Sequence, residues 1–235
     1  MTVSDIAAGW PWWLSRRFRV GRDCMAKRSS ALRVICLEEL QSALAKGFSA
    51  PIEPLFGMPV ACADVRRLAA EAHEQRLGAA CDLSLVGAAC EAVRLGADVA
   101  FVGVGFSDEM LVWVARGEND VPDAARELLS SGRAAGETEL ALLDQRAREW
   151  RASSDAAQVV ASYLLCHPRV DSVAYPGLRS DPSYEVASRT LENGFGPLVD
   201  VKLAGEDAWH RVTCTADDPL EQVMRLETLL REQAS

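Results

Sequence analysis

Lysine is scarce in this chain. Among 235 residues only Lys27, Lys46 and Lys202 carry an ε-amine, and none lies between Lys46 and Lys202. Chemistry that needs a primary amine from a lysine must draw on one of these three. Basic residues total 25 against 34 acidic ones, for a net charge of -9 and a pI near 4.9. That balance argues against a general nucleic-acid binder, which needs a basic face to displace counterions. The seven cysteines (Cys24, Cys36, Cys62, Cys81, Cys90, Cys166 and Cys214) form no CxxC pair and no Cys/His cluster with zinc-ligand spacing. Most sit in apolar surroundings and read as buried thiols of a reducing compartment. His73, His167 and His210 have no sequence neighbour that suggests a triad or a metal site. No Walker or GxGxxG word occurs; "GVGF" at Gly103–Phe106 lacks the third glycine and the acidic residue that would follow. No apolar run is long enough to span a bilayer, and no secretory leader is evident. The expectation is a soluble, cytoplasmic chain with neither nucleic acid nor membrane as its partner.

What is present falls into three parts. Residues 1–31 hold Trp10, Trp12, Trp13 and Phe18 beside Arg16, Arg17 and Arg19. Three readings stay open for this arm: docking into a partner subunit, lying on a membrane surface, or packing on its own domain. From Leu32 to about residue 136, strand-like and helix-like segments alternate, which predicts an α/β domain of parallel strands with crossover helices. Within it the helix "ACADVRRLAAEAHEQRLG" places Val65, Leu68, Ala69 and Ala72 on one face, with Gly78 as its expected stop. Residues 137–235 read as a long helix from Glu137 to Leu165 followed by a smaller α+β domain. Its last helix has Asp218 as N-cap, Pro219 at the first position, and an apolar face of Leu220, Val223, Met224, Leu226, Leu229 and Leu230.

Inside the third part lies the run "HPRVDSVAYPGLRSDPSYEVASRTLENGFGPLVDVKLAG". His167-Pro168, the word Tyr175–Leu178, Pro182 and Gly194-Phe195-Gly196 fall at mutually consistent offsets. This pattern resembles the small-domain signature of the Cys/Met-metabolism (trans-sulfuration) family of pyridoxal-phosphate (PLP) enzymes. "MPVACADVRRLAAEAHEQRLGAACDLS" and the Gly96-Ala97-Asp98 strand resemble that family's large-domain core, and "RVTCTADDPLEQVMRLETLL" its closing strand and helix. The likeness implies a PLP-transferase fold of the type I aminotransferase kind: an α/β large domain, reduced in extent, with a smaller α+β C-terminal domain. Roughly the first third of an ordinary member has no counterpart, nor does a block between Ala208 and Arg211.

The resemblance also assigns positions. The family lysine falls a few residues beyond Asp98, where this sequence has Phe106, with Gly103 and Gly105 in place of hydroxyl residues. Asp82 matches the aspartate that pairs with the pyridine nitrogen, and Arg211 the arginine that holds the substrate carboxylate. Each has a plain structural alternative, Asp82 as the cap of the turn that follows it and Arg211 as a surface or ion-pair residue. Without the lysine, and with no counterpart of the phosphate-binding loop or the stacking aromatic, the expectation is a chain with no catalytic residue, no metal and no cofactor. It would act as a structural or regulatory subunit, in a homo-oligomer or beside a full-length relative. The alternative is a non-covalent binder or enzyme for an amino acid or pyridoxal vitamer, using the residual cleft at Asp82 and Arg211.

Overall fold

The computed structural model describes residues 32–104, 108–114 and 123–232; the arm at residues 1–31, Phe106 and Pro122 lie outside that set. Strand β1 (Leu32–Cys36) pairs on both edges. With β4 (Ala80–Asp82), β5 (Val99–Gly103), β6 (Glu109–Val114) and β7 (Arg133–Ala134) it forms a sheet in the order β4-β5-β6-β1-β7. Alternation along the strands splits the side chains between two cores. Leu32, Val34, Ala100, Val102 and Leu111 join one, and Ile35, Val99, Phe101, Met110 and Val112 the other. Helices α1 (Leu37–Leu44) and α3 (Asp123–Ser130) close the second face through Leu40, Ala43 and Leu128. The first is closed by Val65 of helix α2 (Val65–Glu74), by the segment from Leu83 to Ala97, and by Leu143 and Trp150 of the long helix.

The expected parallel sheet is corrected here. Only β4 and β5 are parallel; β5–β6, β6–β1 and β1–β7 are antiparallel. The connection from Gly103 to Glu109 decides this, because so short a link admits a hairpin and not a crossover helix. A second correction concerns the stop of α2. Asp64 caps its start by accepting from the Arg67 N–H at 3.1 Å. At its end Arg76, not Gly78, takes the left-handed conformation (φ 61°). Arg76 N–H donates to His73 O at 2.9 Å and Leu77 N–H to Ala72 O at 3.0 Å, the paired bonds of a Schellman ending. Gly78 instead bridges to Phe48 beside the sheet.

The long helix α4 runs from Glu137 to Leu165 as the sequence spacing predicts, spanning about 44 Å at 1.5 Å per residue. Its second half packs on a three-stranded antiparallel sheet of β8 (Val170–Ala174), β9 (Leu198–Leu203) and β10 (Trp209–Thr213), ordered β10-β9-β8. Helix α5 (Tyr184–Thr190) lies between β8 and β9 in the chain, and α6 (Pro219–Glu232) closes the described residues. Asp218 caps α6, its Oδ1 accepting from the Leu220 N–H at 2.8 Å. The apolar face of α6 is narrower than the sequence suggests: Val223, Leu226 and Leu230 reach the core, whereas Leu220, Met224 and Leu229 are exposed. A helix resting on one layer can bury only one stripe. Strands β2 (Leu55–Phe56) and β3 (Ala61–Cys62) form a small hairpin. No helix among the described residues is long and apolar enough to cross a membrane.

Candidate functional site at Asp82 and Arg211

The signature word proves to be a packing device. Leu178 N–H donates to Tyr175 O at 2.9 Å, closing a tight turn around Pro176 and Gly177. Tyr175 is wholly buried, and its hydroxyl donates towards Ser154 O (3.1 Å) and Gly196 O (3.3 Å). Desolvation by burial pushes its phenol well above the usual tyrosine range. Asp181 holds the turn from beneath, accepting from the Tyr175 N–H at 2.9 Å and the Ser183 N–H at 2.7 Å. The Gly194-Phe195-Gly196 word is seated on α4: Gly196 N–H donates to Ser154 Oγ at 3.0 Å and Trp150 Nε1–H to Glu192 O at 3.3 Å. A side chain on Gly194 (φ 126°) would lie 2.4 Å from Ser154 Cβ. Every one of these contacts joins backbone to core, and none presents a reactive group.

Asp82 ends β4, half-buried, and its Oδ1 accepts from the Ser84 N–H at 2.8 Å, the turn-capping geometry. Among the described residues its Oδ2 accepts no hydrogen bond. The family-lysine position, Phe106, falls outside the described residues. Asp98, immediately before β5, is structural: it accepts from the Ala79 N–H at 2.7 Å and meets His73 Nε2 at 2.8 Å. One helix start stands where a phosphate cradle is often built, at the β1–α1 turn. Its first turn holds Glu38 and Glu39, and the Leu37 N–H already donates to Asp108 O at 2.7 Å. Two carboxylates at that end answer the helix dipole and repel an anion.

Arg211 lies on β10 directly opposite Asp200 on β9. Its Nε donates to Asp200 Oδ1 at 2.8 Å and its Nη2 to Asp200 Oδ2 at 2.7 Å, a two-pronged pair. Asp200 is fully buried and also accepts from the Val60 N–H, while Arg211 Nη2 reaches the Gly57 carbonyl at the tip of the β2–β3 hairpin. The bond to Asp200 raises the guanidinium pKa further, so Arg211 is permanently charged. Sequence reasoning missed Asp200, though an acid between Val199 and Val201 in an apolar strand was a readable signal. Asp82 and Arg211 share no hydrogen bond; each is engaged by its own neighbours.

Both described lysines are paired elsewhere. Lys46, just beyond α1, faces Glu127 at 3.5 Å, and Lys202 on β9 faces Asp207 at 3.7 Å. An apolar cavity of about 290 Å³ opens between the segment around Ala92 and α4, with Trp113, Leu140 and Leu143 on its walls. Neither Asp82 nor Arg211 lines it. Among the described residues no group of His, Cys, Asp and Glu side chains could hold a metal ion.

Comparison with known proteins places this arrangement. Residues 52–217 match the family model described as Cys/Met metabolism PLP-dependent enzyme. The chain is 48% identical over 50 residues to a cystathionine gamma-synthase of Mycobacterium bovis, a stretch covering 21% of this chain and 13% of that protein. It is 37% identical over 49 residues to an L-methionine gamma-lyase of Fusobacterium nucleatum, covering 21% of this chain and 12% of that one. Among solved structures it is similar to the methionine gamma lyase CalE6 of Micromonospora echinospora: TM-score 0.54, 16% identity, 71% of this chain and 59% of that one. A Campylobacter jejuni protein described as an O-acetylhomoserine (thiol)-lyase gives a TM-score of 0.62 at 14% identity, over 82% of this chain and 67% of that one. That crystal structure carries N'-pyridoxyl-lysine-5'-monophosphate. The α/β fold with its smaller second domain is therefore that of these enzymes. The expectation of a chain with no cofactor is corrected by the same findings: the family is PLP-dependent, and a structural neighbour bears the pyridoxyl group on lysine.

Proposed function

The chain belongs to the family of Cys/Met-metabolism PLP-dependent enzymes, and from that premise we propose that it serves as a non-catalytic member, a structural or regulatory subunit. The lysine map carries this reading. When bound, PLP supplies an electron sink to a substrate amine, and the family chemistry attaches it through a lysine. No lysine lies between Lys46 and Lys202, and both of those are committed to surface ion pairs. The fit to PLP is thus partial: Asp82 would face the ring nitrogen, and no amine of the core offers a covalent link. A homo-oligomer or a complex with a full-length relative is the assembly we propose. The test is incubation of the purified chain with PLP, visible spectroscopy, borohydride reduction and peptide mapping. No pyridoxyl-bearing peptide and no carbon–sulfur cleavage are expected. A pyridoxyl group at Lys27, Lys46 or Lys202, together with turnover, overturns the reading.

One observation favours a second reading, a non-covalent binder of a pyridoxal vitamer or an amino acid. Asp82 keeps an oxygen without a hydrogen bond among the described residues, at the carboxyl end of a strand where ligands of α/β sheets gather. Calorimetric titration with pyridoxamine phosphate, which cannot form the lysine link, tests it through loss of binding in Asp82→Asn.

A further inference from the structure

We propose that Asp200 fills, from within the chain, a carboxylate-binding site that Arg211 and the Val60 N–H would otherwise offer to a free small monocarboxylate. Three donors converge on one buried carboxylate: Arg211 Nε on Oδ1 at 2.8 Å, Arg211 Nη2 on Oδ2 at 2.7 Å, and the Val60 N–H on Oδ2. A planar guanidinium edge with an added main-chain donor is a complete recognition set for a carboxylate. Asp200 reaches it from the facing position of the adjacent strand, so the site is filled without the ordering cost that a free ligand would bear. Displacing Asp200 by a free carboxylate would leave a charge at 0% exposure without a partner, a strongly unfavourable exchange. Arg211 itself keeps 32% of its side chain exposed. The site is closed by occupancy and not by burial of its arginine.

This inference does not rest on the lysine map, and its test is separate. Thermal midpoints are measured in sodium formate and in sodium chloride at equal ionic strength. In Asp200→Ala, formate is expected to raise the midpoint saturably. The rise should reach roughly 5–10 °C at about a hundredfold above its dissociation constant. The wild type should respond equally to both salts, and Asp200→Ala combined with Arg211→Met should lose the formate response. No formate-specific rise in folded Asp200→Ala overturns the proposal. The wild-type chain gives a second measurement should that variant fail to fold. Titration with formate and with alanine is expected to show no binding that depends on Arg211. Binding abolished by Arg211→Met would mean that the site is open, and would overturn the proposal too.

Discussion

Gly177 and Tyr175 define what the YPGL word is for. A Cβ on Gly177 would stand 2.4 Å from Tyr175 Cε1 and 2.7 Å from Gln158 Oε1. The glutamine can turn away; the tyrosine ring, wholly buried, cannot. Gly177→Ala is therefore expected to cost about 1–3 kcal/mol as overpacking, and Tyr175→Phe about 1–2 kcal/mol as a lost buried hydrogen bond. Urea midpoints measure both. If Gly177→Ala leaves the midpoint unchanged, the glycine serves something other than ring packing. The residues that identify the family are thus the ones that build its small-domain core. The scarcity of lysine was legible in the composition. Asp200 was legible only as an acid in an apolar strand, because its partner Arg211 is fixed by strand register, which the sequence does not state.

Some elements whose signals are local were readable, though the stop of α2 was not. The bounds of α4 follow from spacing alone, and the start of α6 from an Asp-Pro pair. Strand direction was not readable, because it depends on which strands meet and on how short a loop is between them. The docking of α6 on α4 was equally invisible. Tyr163 donates its hydroxyl to Glu227, His167 Nε2 lies 3.2 Å from the same carboxylate, and Arg231 Nε donates to its other oxygen at 2.7 Å. The Tyr163 bond foremost, then Arg231, holds the Glu227 carboxyl below its ordinary value. A depressed carboxyl stabilises the fold above its unfolded pKa, and that contribution disappears as pH falls through the folded value. The stability gap between wild type and Glu227→Gln is accordingly expected to be largest near neutrality and to close in acid below the ordinary carboxylate range. Urea midpoints along a pH series measure it. A gap that persists there would show that the pin acts through shape and not through charge.

At the scale of the whole molecule, α4 makes the two cores one. Leu143 and Trp150 belong to the large-domain cluster, and Ala156, Ala157, Val160, Ala161 and Leu164 of the same helix belong to the small-domain cluster. Trp150 packs under Gly196, whose Cβ position lies 3.0 Å from its ring, so the junction has no slack. A rigid helix shared by two clusters should couple their unfolding. Buried thiols report on each side: Cys62, Cys81 and Cys90 in the first cluster and Cys214 in the second. Burial pushes Cys62 up to about 12 and Cys214 up to about 11, so neither presents the thiolate that reacts while the chain is folded. Cys36 and Cys166 are exposed and should label without denaturant. Brief alkylation pulses along a urea gradient, read by peptide mass spectrometry, should therefore show Cys62, Cys81, Cys90 and Cys214 becoming reactive at one shared midpoint. Labelling of Cys214 at clearly lower urea than Cys62 would mean that the small domain opens first, and that α4 links the two bodies without making them cooperative.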